Sequence, residues 1–134
     1  MRLPLRLLQG AATALSPAGP RARLLIMTFH RVLPAPDPML RFEIDRARFG
    51  AQLDLLGQYF NILRLDEACE RMRAGELPAR ALCLTFDDGY ASNVTEALPE
   101  LQSRGLPGTF FIATAFLNGG RMFNDTVIET VRRL

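Results

Sequence analysis

Leu82-Cys83-Leu84-Thr85-Phe86-Asp87-Asp88-Gly89-Tyr90 is the stretch whose reading decides the fold. From Ala81 to Phe86 it is short and apolar, with β-branched and aromatic residues, and it predicts a buried strand. Two adjacent carboxylates follow where that strand leaves the sheet. In parallel α/β folds this carboxyl-end rim is where active sites collect. Gly89 allows a sharp turn, and a helical pattern from about Ala91 carries the chain away. Successive strand residues point to opposite faces. Asp87 and Asp88 can therefore serve one site only if the strand ends at the first of them. A plainer reading is turn chemistry, with Asp-Gly as the turn and an aspartate capping the next helix. Against it, like charges this close need a cation, a proton or solvent to relieve them.

Working outward, Leu24–Phe29 is continuously apolar and predicts a second buried strand. His30, the only histidine, follows at its end. If the two strands are parallel, His30 reaches the same rim as Asp87, where it can bond a carboxylate or touch substrate. Leu33 to Pro38 holds three prolines and predicts a loop. Asp45 to Tyr59 predicts an amphipathic helix capped by Asp45, with Phe49, Leu53, Leu56 and Phe60 at helical spacing. Phe60 to Leu65 predicts a short strand. A helix from Asp66 to Arg73 follows, ended by Gly75, with Glu67, Glu70, Arg71 and Arg73 as its solvated face. Beyond Tyr90, Ser92 to Arg104 predicts a helix, with Pro99 as a kink or a second start and Gly105 as its cap. Pro107 to Ala113 predicts a strand, and a last helix begins near Asp125; Asn124 and Asp125 can cap it or reach the site, and capping is the preferred reading. Alternating strands and helices argue for a parallel sheet with right-handed crossovers.

The 134 residues suffice for one ordinary domain with a core. At 49% hydrophobic and 22% charged, the chain is globular rather than disordered. A net charge of +2 argues for neither nucleic acid nor a membrane surface as partner. No apolar run approaches the roughly 20 residues of a transmembrane helix. Residues 1–23 read as a leader: a short amphipathic helix over Met1 to Leu8, then the turn-rich Ser16-Pro17-Ala18-Gly19-Pro20. Pro4, Arg6 and Gly10 interrupt any signal-peptide core, which favours a cytoplasmic over a secreted protein. Cys69 and Cys83 lack metal-type spacing and read as small buried hydrophobes in a reducing compartment.

Thr85-Phe86-Asp87-Asp88-Gly89-Tyr90 resembles the first motif of the polysaccharide deacetylases, the NodB-homology or carbohydrate esterase family 4 group. Gly105-Leu106-Pro107-Gly108-Thr109-Phe110-Phe111-Ile112 resembles the next strand of that family, with Gly108 where alanine is more usual. Leu25-Ile26-Met27-Thr28-Phe29-His30-Arg31-Val32 resembles the opening strand of its exopolysaccharide-type members. The resemblance covers residues 24–134 and implies the N-terminal portion of a distorted parallel (β/α) barrel. It implies hydrolysis of N-acetyl groups on a cell-surface or exopolysaccharide glycan, with Asp87 as general base and Asp88 as metal ligand. His30 and Tyr90 become substrate-binding or auxiliary residues. The implied cofactor is a divalent metal, zinc by preference, with cobalt or nickel also suited to an aspartate and two imidazoles.

Such a metal lowers the pKa of bound water to about 7 and polarises the amide carbonyl. In this family two histidines of a later His-x-x-x-His motif complete the metal site, and His30 cannot replace both. The expectation is a fragment or truncated product, inactive alone, whose full-length parent is the enzyme. An alternative is a truncated copy that at most binds sugar or a partner. A phosphotransferase of the haloacid dehalogenase type needs its acids two residues apart, not adjacent. A partial barrel also exposes strand edges and apolar flanks, so poor solubility is expected. Oligomeric state is open.

Overall fold

The computed structural model describes residues 5–134. The leader helix expected over Met1 to Leu8 lies partly outside these residues. Within them, α1 (Leu5–Leu15) runs longer than expected, and Leu7, Leu8 and Leu15 are exposed. The turn after it is tied to the sheet, because Ser16 O accepts from Arg80 N and Leu77 O from Gly19 N.

Three strands and their partners place the rim. β1 (Leu24–Phe29) is followed by two short strands, β2 (Val32–Leu33) and β3 (Ile44–Asp45), which pair parallel in a separate sheet. α2 (Arg46–Tyr59), β4 (Asn61–Leu63) and α3 (Leu65–Ala74) come next, then β5 (Ala81–Phe86). β5 pairs in parallel with β1 along its whole length, Leu24 opposite Ala81 through Phe29 opposite Phe86. Its other edge is shared by β4 at the start and β6 (Thr109–Phe110) at the end. The parallel α/β architecture is thus as expected, with β5 central.

All six residues of β5 are buried. Leu82, Leu84 and Phe86 face a core built with Phe49, Leu53 and Leu56 of α2 and Leu101. Ala81 and Cys83 face a smaller cluster with Ala68 of α3 and Leu77. Each fully buried large side chain contributes about 1.5–3 kcal/mol. At the rim end, Phe29, Phe86 and Phe110 are register partners on three strands, and their rings stack at 5.4 Å and 4.7 Å. Phe49 meets Phe29 and Phe86 edge-on. An aromatic layer therefore lies directly beneath the aspartates.

Several expectations need correction. β1 is half exposed, with Leu25 and Ile26 at 46% and 48%, because β5 is its one strand partner among the described residues. α3 starts at Leu65 with Arg64 as N-cap and no side-chain cap bond; Asp66 sits inside the first turn and pairs with Arg64. The helix after Tyr90 is not uniform. A π-helical turn (Asn93–Ala97) precedes α4 (Leu98–Ser103), and Pro99 stands at the start of α4, where its missing N–H costs least. The strand expected over Pro107 to Ala113 keeps only two ladder residues, and Phe111 and Ile112 are about half exposed. α5 (Phe123–Arg132) starts two residues early at N-cap Met122, with no side-chain cap. Asp125 is engaged elsewhere. Asp45 caps α2 as expected, accepting from Arg48 N at 3.0 Å.

Candidate active site

The site is built at the carboxyl end of β5. Asp87 N donates to Phe29 O at 2.8 Å, so the ladder with β1 runs one residue past the strand. Phe111 N donates to Phe86 O at 2.8 Å on the other side. Asp87 therefore leaves the sheet between the ends of two neighbours. Strand alternation puts it on the face of Cys83 and Thr85, whose hydroxyl meets that of Thr28 at 3.0 Å.

Asp88 then takes a left-handed backbone conformation, φ +73°. A side-chain-bearing residue there is strained, by about 1 kcal/mol or more. Such strain persists where the surroundings over-determine it, and it clusters at functional sites. The turn also resolves the sequence puzzle. The strand ends at Phe86, and the left-handed step releases Asp88 from the alternation that would have sent it to the opposite face. Gly89 completes the turn at φ +69°, and a Cβ there would press on Ile112 at 3.1 Å. Glycine is needed on both counts.

Both carboxylates are half-buried, and no ion pair among the described residues involves either. His30 directly follows Phe29, the register partner of Phe86, and is exposed. Tyr90 packs against Arg31. Its ring lies under the Arg31 guanidinium, 4.1 Å from the ring centre, and its hydroxyl accepts from Arg31 Nη2 at 2.9 Å. The same hydroxyl faces Met122 Sδ at 3.5 Å. Burial pushes the Tyr90 phenol above its ordinary value, against the lowering pull of Arg31.

Arg31 is the residue that reasoning from sequence missed. It pairs with Asp125 in the first turn of α5 and with Glu43 at 3.5 Å. Burial pulls its guanidinium down, but the hydrogen bond to Asp125 and the surrounding negative charge leave it above its ordinary value. Asp125 lies 94 positions away in sequence, and no spacing rule connects the two.

As a metal centre the arrangement is incomplete. Among the described residues, no three His, Cys, Asp or Glu side chains come together to hold an ion. A zinc-type catalytic site takes three protein ligands. The described residues do not make up such a set. The cysteines are no substitute: Cys69 and Cys83 are free, and burial pushes the Cys83 thiol up to about 11. No helix among the described residues is long and apolar enough to cross a membrane.

Residues 74–133, from the end of α3 through α5, match the family model described as polysaccharide deacetylase. Over these residues the chain is similar to part of a polysaccharide deacetylase domain. A structure of IcaB from Ammonifex degensii is 36% identical and superposes with a TM-score of 0.58, over 72% of this chain and 39% of that one. A de-N-acetylase from Aggregatibacter actinomycetemcomitans, 20% identical, gives 0.60 over 72% of this chain and 40% of that one. The Streptococcus pyogenes deacetylase PplD, solved in complex with acetate, is 18% identical and gives 0.60 over 81% and 52%. The last two speak to the fold alone. This chain thus spans between 39% and 52% of these three relatives. No curated protein matches it.

Proposed function

We propose that the Asp87–Asp88 rim is the acid half of a metal-dependent deacetylase site for an N-acetylated cell-surface or exopolysaccharide glycan. The carrying observation is the pair itself: two free carboxylates, one held in a left-handed turn, at the end of a fully buried parallel strand of a deacetylase-related fold. Asp87 is the general base, taking the proton from the attacking water. Asp88 is an oxygen ligand for a divalent ion, zinc by preference, in a protein that also supplies two imidazoles. When bound, that ion activates water and polarises the carbonyl. His30, exposed just past the end of β1, is placed to meet substrate. The 134-residue chain alone does not turn over, since one carboxylate and one exposed imidazole do not make the ligand set. For that chain by itself, binding without turnover is the better reading.

Paramagnetic cobalt titrated into the 15N-labelled chain tests the assignment. Broadening centred on Asp87 to Gly89, and lost in Asp88→Ala, is expected. Broadening centred elsewhere removes Asp88 from the metal role. Acetate release from an N-acetylglucosamine oligomer by this chain, abolished by Asp88→Ala, would overturn the inactivity.

A further inference from the structure

We propose that Arg31 is the positioning residue of this rim: it holds Tyr90 and Asp125 together and so sets the path of the Asp87-Asp88-Gly89 turn and the docking of α5 beside it. The proposal rests on the reading of that rim as the reaction site.

Three chain segments meet at one guanidinium. Arg31 lies two residues past the end of β1 and directly before β2, whose Val32 pairs with Ile44. Tyr90 follows the acid turn directly, two residues beyond Asp88. Asp125 stands in the first turn of α5. One Arg31 nitrogen, Nη2, serves both the Tyr90 hydroxyl and the Asp125 carboxylate, while Glu43 faces Nε. The side chains of Arg31 and Asp125 are only 15% and 14% exposed. A planar guanidinium can bond several acceptors and lay its flat face on a ring at once, whereas an ammonium is a point charge with no such face.

The rest of α5 gives this contact its weight. α5 has no buried residue, and Phe123, Val127 and Val131, one turn apart on one face, are 83%, 45% and 53% exposed. A second ion pair also ties it to the body, from Arg132 to Asp37 on the proline-rich loop. The two ties are crossed in sign: an arginine of the body meets an aspartate of α5, and an arginine of α5 meets an aspartate of the body. Of the two, only Arg31 also touches the residue next to the acid turn. A shift of Arg31 would therefore be felt at Asp88, already in an unfavourable backbone conformation, through Tyr90.

Hydrogen exchange on the 134-residue chain tests this with three variants. Arg31→Met keeps bulk and removes the charge. It is expected to speed exchange at least tenfold in residues 87–92 and in α5, leaving β5 unchanged. Arg31→Lys should restore protection to α5 through Asp125 but less to residues 87–92, since an ammonium lacks the flat face that lies over the Tyr90 ring. Tyr90→Phe should loosen 87–92 alone. Uniformly faster exchange that includes Ala81 to Phe86 would make Arg31 a general stabiliser and overturn the proposal. Equal rescue of both segments by lysine, or no change in either, would overturn it as well. If Arg31→Met does not fold, Tyr90→Phe and Asp125→Asn decide between the same outcomes. The cobalt titration separates the two readings. Loss of the exchange pattern with cobalt still centred on Asp87 to Gly89 leaves the metal role standing. An intact pattern with cobalt bound elsewhere leaves Arg31 a positioning residue of a rim with another use.

Discussion

β5 and α5 flank the same rim and are held there by different forces. β5 is paired on both edges and buried on both faces, with Phe86 stacked between Phe29 and Phe110. α5 has no buried residue and is tied through Arg31–Asp125 and Arg132–Asp37. Apolar burial is non-directional and little affected by moderate salt or acid. Ion pairs near the surface are weakened by both. The strand that carries the acids is thus the most securely held element, while the helix beside them is held conditionally. Sites often combine the two, because mobile flanking elements are drawn from the less stable parts of a fold.

The largest test of this contrast is Phe86→Ala. It removes the centre of the aromatic layer and should cost about 3–5 kcal/mol, read from the urea midpoint by circular dichroism. A loss under about 1 kcal/mol would mean that the layer is not a packed core. Next comes Asp88→Gly, which relieves the left-handed strain. The relief is offset by roughly 0.4–1 kcal/mol of added unfolded-state entropy, so stability should change by less than about 1 kcal/mol while cobalt broadening at the turn is abolished. A loss above about 2 kcal/mol would show that the Asp88 side chain supports the fold rather than a ligand. Asp45→Ala removes the α2 cap and should cost about 1 kcal/mol without altering α5, since the cap faces Arg48 N.

The smallest effects are local to α5. Raising salt to 1 M, where the screening length is about 3 Å, should lower α5 protection a few-fold and leave β5 alone. Acid should do the same. The hydrogen bond from Arg132 holds the Asp37 carboxyl below its ordinary value. A carboxylate lowered on folding adds stability above its unfolded value and loses it as pH falls through its folded one. The Arg132–Asp37 tie is therefore complete above about pH 4 and lost below it. Hydrogen exchange at pH 6 and pH 3 reads the difference. Equal loss in β5 and α5 would erase the contrast.

Much of this was legible in the amino-acid order. The run Ala81 to Phe86 named its own burial, because a short, almost wholly apolar run between turn signals suits a strand covered on both faces. Asp45 as cap and Gly75 as left-handed stop are local chemistry, readable without the fold. Asp87 and Asp88 can serve one site only if the strand is over by Asp87, and β5 ends at Phe86 with Asp88 left-handed. β1 was misread as buried because apolar character reports what could be covered, not what covers it. Leu25 and Ile26 have the pattern of a core strand and lie on an open edge.

Sequence alone determined the strand, the turn and the pair of acids, since each depends on neighbours within a few residues. Only the tertiary structure decided what those acids stand beside. Arg31, Tyr90 and Asp125 come from three separate segments, and their meeting depends on the parallel register of β1 with β5 and on the return of α5 to the same rim. Local propensity contains no term for a contact made across 94 positions; packing of the intervening chain creates it.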